Sequence, residues 1–144
     1  MRIKPFFIVF LLFLFIVSGH LSAQEQDFFG TWTCKFNHDG DIYLVEIRIS
    51  RTSFVVTTEI YDESDLIDEE SWETEIISWA RITNADPSTR TTYPNGYRLE
   101  AECSCCEMEY PEDIIEIFIS RDGRQLIIPE FNELLDQRLV FRKR

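Results

Sequence analysis

The chain has 144 residues and a formal net charge of −12, with 26 acidic residues against 14 Lys and Arg. This balance disfavours partners that are themselves polyanions, so neither nucleic acid nor an anionic membrane surface is an expected partner. It permits cationic partners and divalent cations, but good solubility is the preferred explanation of the negative charge.

The N-terminus has the order of a secretory signal peptide. Arg2 and Lys4 precede a run of 12 apolar residues from Phe6 to Val17, and the small residues Ser22 and Ala23 stand before Gln24. A spanning helix needs about 20 apolar residues, so this run is short for one. We predict a signal peptide at 1–23 and an exported protein, periplasmic or secreted; an uncleaved N-terminal anchor is the alternative.

Residues 24–144 are predicted to form one domain with no membrane-inserted segment. Their number suffices for one hydrophobic core and is small for two domains. Because the removed segment carries two cations and no acid, the net charge falls from −12 to −14.

The mature sequence predicts β-strands nearly throughout. Short runs rich in β-branched and aromatic residues are separated by turn signals, among them Asp39-Gly40 and Asp122-Gly123. No helical pattern of ten or more residues is present, although 129–136 has room for a short helical turn. The predicted strands are 28–37, 42–50, 52–61, 74–83, 97–105, 114–121, 124–128 and 137–144.

Eight antiparallel strands with short consecutive connections predict an all-β, up-and-down barrel, because closure removes exposed strand edges. A β-sandwich is the alternative. The acidic stretch 62–73, with seven acids and no cation, and the turn-rich stretch 84–96 are expected to be loops.

The first predicted strand, FFGTWTCKF, resembles the Gly-x-Trp opening of lipocalins and of small bacterial lipocalin-like (calycin-type) proteins, with Gly30 and Trp32 as the matching residues. The closing LVFRKR is similar to the last strand of that family, which places an arginine over the first-strand Trp. Arg142 matches this arginine best, and Arg138 is second. Full lipocalins are longer and carry a helix after the barrel, so the chain resembles a minimal version.

The resemblance implies a protein that binds a small hydrophobic ligand in the barrel lumen. An eight-stranded barrel is wide enough to be filled by side chains or to hold one small ligand. The candidates to line or fill the lumen are Trp32, Phe36, Phe54, Trp79, Leu99 and Phe118.

A second function is also compatible with such a barrel, since small secreted barrels of this type also act through their loops, for example as protease inhibitors. The acidic stretch 62–73 would then contact a protein partner, with Trp72 as an anchor. Alternatively, Trp72 folds back over the barrel rim and the acids are merely solvated.

Catalytic and metal-dependent functions have little support in the sequence. His38 is the only histidine after residue 23, and no nucleophile is placed beside it. The acids of 62–73 lack the spacing and the glycine of an EF-hand loop. We therefore predict a protein that is not an enzyme, with no cofactor and no dedicated metal site.

The four cysteines are Cys34, Cys103, Cys105 and Cys106. In an oxidising compartment an even number of cysteines predicts disulfides. The first and fifth strands of an eight-stranded barrel lie nearly opposite, so a partner for Cys34 should come from a strand end or the loop after it. Cys105 or Cys106 is therefore preferred to Cys103; free thiols and a four-cysteine metal site remain the alternatives.

Overall fold

The fold is described by a computed structural model over residues 25–82, 92–103 and 113–144, with only the backbone given at Cys103 and Asp113. The predicted signal peptide at 1–23 lies outside the described residues.

Eight antiparallel strands form a closed barrel in chain order, and the last strand closes on the first. The predicted up-and-down barrel is thereby confirmed over its sandwich alternative. The elements are β1 (Gly30–His38), β2 (Asp41–Ile49), β3 (Ser53–Asp62), β4 (Asp65–Arg81), β5 (Asn95–Cys103), β6 (Asp113–Ile119), β7 (Gln125–Ile127), helix α1 (Pro129–Leu135) and β8 (Phe141–Lys143).

The hairpin between β1 and β2 shows how local sequence sets the register. Asp39 and Gly40 both have positive φ, 52° and 95°, as a two-residue type I′ connection requires. Asp41 therefore pairs with His38, and the register continues down to Gly30. The tight turn predicted from the Asp-Gly pair is confirmed.

The acidic stretch 62–73 is mostly strand, so its prediction as a loop is wrong. β4 begins at Asp65, directly after a tight turn in which Glu63 has φ 54°, and continues to Arg81. Its first ten pairs are made with β3. Backbone pairing to a partner rich in β-branched residues therefore outweighs the low strand propensity of the acids.

The two ends of the barrel are built differently. We call the end with Gly30 and Lys143 the lower end, and the end with the β1–β2 and β3–β4 turns the upper end. β7 and β8 have three residues each and pair only near the lower end. At the upper end α1 contacts β6, and Gln137 Nε2 donates to the Asn37 carbonyl of β1 at 3.0 Å. The helix and the residues after it therefore close the wall between β6 and β1 there.

The barrel interior is filled through its lower and middle levels. Every strand contributes alternate side chains to one buried cluster, as expected where one face of a sheet is the core. Its fully buried members include Trp32, Ile47, Phe54, Leu99, Ile117, Leu126 and Phe141. Within the described ranges, no helix has both the length and the apolar character needed to cross a bilayer.

Candidate functional site

The lower end of the barrel is closed by the residues that precede β1. The indole Nε1 of Trp32 donates to the carbonyl of Phe28 at 2.8 Å, and both side chains are fully buried. Lys143 Nζ lies 5.2 Å from the centre of the Trp32 ring and donates to the carbonyl of Asp27 at 2.8 Å. These contacts pack the residues that precede β1 against the lower end of the barrel core.

The cation over the Trp32 ring is Lys143, and the expectation for Arg142 is wrong. In the β1–β8 register Lys143 is paired with Trp32, whereas Arg142 is paired with Thr33 and is exposed. Neighbouring residues of a strand point to opposite faces, so only one of the two cations faces the indole. The Arg138 alternative is also excluded as the cation over this ring.

Trp79 belongs to this lower closure. Its Nε1 donates to the Arg51 carbonyl at 2.9 Å, and its ring makes edge contacts with Phe29 at 5.6 Å and Tyr97 at 5.8 Å between ring centres. Such edge-to-face pairs add about 0.5–1.5 kcal/mol each beyond the area that they bury. The predicted lumen residue Trp79 is therefore partly buried and packs into the lower closure of the barrel.

Phe118, another predicted lumen residue, lies on the outer face of the barrel. It pairs with Gly96, one position out of step with Tyr97 and Ile117, which face the interior. Phe118 packs instead with Tyr93 and Ile127 in a separate small cluster. The lumen prediction for Phe118 is therefore wrong. β6 carries apolar residues on both faces, so its sequence alone does not show which face is the inner one.

An open pocket of about 250 Å³ lies at the upper end, on the inner face of β1–β4 and against α1. Val45 and Val56 are its deepest strand residues, and the remaining strand positions are nearer the mouth. The lining comprises Phe36, Tyr43, Val45, Val56, Thr58, Trp72, Phe131, Leu134, Leu135 and Leu139. Among the predicted lumen residues, Phe36 lines this pocket, whereas Trp32, Phe54 and Leu99 are fully buried in the core.

Aromatic rings make up much of the strand side of this pocket. Phe36 and Tyr43 face each other across the β1–β2 pair and stack with ring centres 5.2 Å apart and planes 12° apart. Trp72 is partly buried, and its ring lies 5.9 Å from that of Phe54 in the core below. Trp72 thus packs against the barrel, whereas contact of 62–73 with a protein partner stays a prediction.

Helix α1 forms the opposite side of the pocket, and its position follows from its ends. Pro129 opens the first turn, where its missing N–H is not needed, and Asp136 ends the helix with φ 48°. The Asn132 side chain then accepts a hydrogen bond from the Leu139 amide at 2.7 Å. The short helical turn expected in 129–136 is confirmed, but no feature of its sequence predicts that it lines a pocket.

The rim of the pocket is acidic. Thr58, which lines the pocket, pairs directly with Glu70, and Ile60 pairs with Asp68, so both carboxylates share the inner face with Trp72. Glu70 and Asp68 are exposed.

The outer side of the same hairpin is also negative. The hydrogen bond that the Tyr61 hydroxyl donates to Glu59 at 2.6 Å raises the pKa of Tyr61, and the negative charges of Glu59 and Glu69 add to the increase.

Two further depressions lie on the outer face of β1–β3. The larger, about 330 Å³, is lined by Thr33, Glu46, Thr57 and other residues and is crossed by an ion pair from Arg144 to Glu46 at 3.2 Å. The smaller, about 220 Å³, surrounds Tyr61. Both are lined in part by charged side chains, whereas the lining of the upper pocket includes none.

Cys34 is buried on the inner face, and burial raises the pKa of its thiol above the usual value although the Val140 backbone donates a hydrogen bond to it. No disulfide is present among the side chains that the structure describes. The predicted partners Cys105 and Cys106, and the side chain of Cys103, lie outside them. The disulfide pairing thus stays a prediction.

Across the described ranges, no group of three or more His, Cys, Asp and Glu side chains is arranged to hold a metal ion.

In comparisons with known proteins, the chain matches no protein-family model, no curated protein and no solved structure. The closed eight-stranded antiparallel barrel is nevertheless compatible with the lipocalin resemblance of Gly30 and Trp32.

Proposed function

We propose that this protein is an exported, lipocalin-like binding protein that takes up a small hydrophobic ligand at the upper end of its barrel, without catalysing a reaction. The observation that carries the proposal is the apolar pocket of about 250 Å³ between Phe36, Trp72 and α1. Ligand pockets usually measure about 300–1,000 Å³, so the site suits a small molecule or one arm of a larger one.

The contrast between the two ends of the barrel supports this proposal. The lower end is packed by Trp32, Phe28 and Lys143, whereas the upper end has apolar side chains around an open space. Apolar lining that remains in contact with water gains about 25 cal/mol for each Å² that a ligand covers. A small apolar molecule would therefore be held mainly by the hydrophobic effect.

Two adjacent threonines of β3 provide a matched test. Thr58 lines the pocket, while Thr57 faces outward and shares a hydrogen bond with Ser71 at 3.2 Å. In titration calorimetry with 1-octanol, the wild type and Thr57→Trp should bind, whereas Thr58→Trp should fill the pocket and lose binding. No binding by the wild type, or equal binding by Thr58→Trp, would contradict the proposal.

Native mass spectrometry of protein purified from its own host addresses the natural ligand. A retained small apolar adduct that is missing from Thr58→Trp supports the proposal. An adduct carried equally by Thr58→Trp would place the ligand elsewhere on the molecule.

A second candidate function, contact with a protein partner, is favoured by one observation. Leu66 and Ile67, near the tip of the β3–β4 hairpin, are 52% and 54% exposed and are flanked by acids. Exposed apolar side chains within a charged rim are a common composition of protein contacts.

The protease-inhibitor form of this candidate is tested by the residual activity of trypsin, chymotrypsin and papain with equimolar protein. Inhibition that Leu66→Ser/Ile67→Ser relieves, and that Ile77→Ser does not, would support it. Ile77 is a suitable control because it is 52% exposed at a distant point of the same strand. Full protease activity in every mixture would contradict it.

A further inference from the structure

We propose that the ligand of the upper pocket is a cationic amphiphile, a small molecule with an apolar body and an ammonium or similar head group. This inference rests on the proposed function, because it specifies the chemistry of the ligand for the same pocket.

The charges nearest to the pocket are the carboxylates of Glu70 and Asp68. Glu70 lies between two pocket residues: it pairs across the strands with Thr58, and Trp72 follows it by two positions on the same face. Directly opposed residues of an antiparallel pair have Cβ atoms about 4.5–5.5 Å apart. A molecule whose apolar body fills the pocket therefore has its outer end near the Glu70 carboxylate, with Asp68 one step further out.

The whole upper rim carries a net negative charge. We define this rim as residues 38–41, 60–70 and 129–138, which contain eleven acids, one arginine and one histidine. Within the described part of the chain, no ion pair involves a residue of 60–70. The carboxylates of 60–70 thus have no ion-pair partner among the described residues, and they favour a positive head group over a negative one.

The aromatic lining of the pocket also favours a cation, independently of the acidic residues. Phe36, Tyr43 and Trp72 present aromatic rings to the pocket, and aromatic faces attract cations within about 6 Å of the ring centre. A neutral apolar ligand gains no cation–π attraction from these rings. A cationic one gains from the rings and from Glu70 together.

A set of three ligands with the same chain length separates charge from hydrophobicity. Octylammonium, 1-octanol and octanoate should be titrated into the purified protein at pH 7 and low ionic strength. We expect octylammonium to bind about tenfold more tightly than 1-octanol, and octanoate more weakly than either. The advantage of octylammonium should shrink as sodium chloride is raised from about 10 to 100 mM, because the screening length falls from about 30 to 10 Å.

Two substitutions test which carboxylate attracts the ammonium head group. Glu70→Gln should lower octylammonium affinity severalfold and leave 1-octanol affinity unchanged. Glu73→Gln is the matched control, because Glu73 pairs with Val55 on the outer face of the same two strands. Equal losses in the two variants would overturn the role assigned to Glu70.

The outcomes distinguish the two proposals. If 1-octanol binds and octylammonium binds no more tightly, the charge preference is wrong and the apolar site stands. If none of the three ligands binds, the site itself is wrong.

Discussion

At the scale of single residues, the lower end of the barrel depends on one lysine over one indole. Replacing Lys143 by Met keeps much of the side-chain length and removes the charge above Trp32 and the hydrogen bond to Asp27. We expect a loss of about 0.5–2 kcal/mol in the free energy of unfolding, measured by urea denaturation.

Arg142→Met is the matched control, because Arg142 is the neighbouring cation and is exposed on the other face. Surface substitutions of this kind usually change stability by no more than about 0.5 kcal/mol. If Arg142→Met cost as much as Lys143→Met, a general effect of charge would explain both results, and the cation–π contact would not be needed.

Asp122 carries a pH-dependent contribution at the β6–β7 turn. Its carboxylate accepts hydrogen bonds from Ser120 Oγ at 2.5 Å and from the Arg124 amide at 3.1 Å, and these bonds lower the pKa of Asp122. A carboxylate with a lowered pKa stabilises the fold above its unfolded-state pKa, and the contribution is lost as pH falls through the folded-state pKa. Asp122→Asn should therefore be less stable than the wild type at pH 7, with a difference that narrows near pH 2.5.

Urea denaturation of both proteins at pH 7, 4 and 2.5 measures that difference. Acid unfolding caused by other groups affects both proteins and cancels in the comparison. A difference that stays constant from pH 7 to 2.5 would mean that the charge of Asp122 does not stabilise the turn.

At the scale of elements, the packing of β5 on β6 depends on a missing side chain. A Cβ built at Gly96 would come within 2.5 Å of the Phe118 ring, so this ring occupies the space above the glycine on the outer face. Gly96→Ala should cost about 1–3 kcal/mol through overpacking, measured by thermal or urea unfolding.

The double variant Gly96→Ala/Phe118→Leu supplies the control. Shortening the ring removes the clash, so the cost of the alanine should be smaller in the Phe118→Leu background than in the wild type. Equal costs in the two backgrounds would show that Phe118 does not occupy the space above Gly96.

The parts of the fold that can be predicted from sequence alone are those set by local signals. The Asp39-Gly40 pair is a local signal, and it places the first hairpin correctly. β4 was missed in its first half because its acids have low strand propensity and its pairing to β3 is not a local property. The pairing register of β5 with β6 likewise determines that Phe118 lies on the outer face, because the apolar pattern of β6 alone does not distinguish its two faces.

The candidate site was less predictable than the fold for a related reason. Phe36 is one of the lumen candidates named from the sequence, and it lines the pocket. The α1 residues Leu134 and Leu135 are not among those candidates, because a seven-residue helix gives too short a pattern to predict which side faces the barrel. Whether an eight-stranded barrel is filled or open depends on packing between distant segments, and only the structure shows that its lower end is filled and its upper end is open.

At the scale of the whole molecule, charge is distributed as unevenly as packing. The described ion pairs of arginine are Arg48 and Arg144 with Glu46 and Arg98 with Glu116, all on the outer face of the barrel wall. The seven acids of 62–73 have no such pair among the described residues. Repulsion should therefore be concentrated around the β3–β4 hairpin, the same region that borders the pocket.

This distribution predicts that salt stabilises the fold. With a net charge of −12, the compact state brings like charges closer together than the unfolded chain does. Raising sodium chloride from about 10 to 100 mM shortens the screening length from about 30 to 10 Å, so Tm measured by circular dichroism should rise by several degrees. Potassium chloride should give the same slope, because screening does not depend on which monovalent cation is present. Asp65→Asn/Glu69→Gln should raise Tm at low salt and flatten the slope, whereas a wild-type Tm that is flat or falling with salt would show that repulsion at this hairpin does not limit stability.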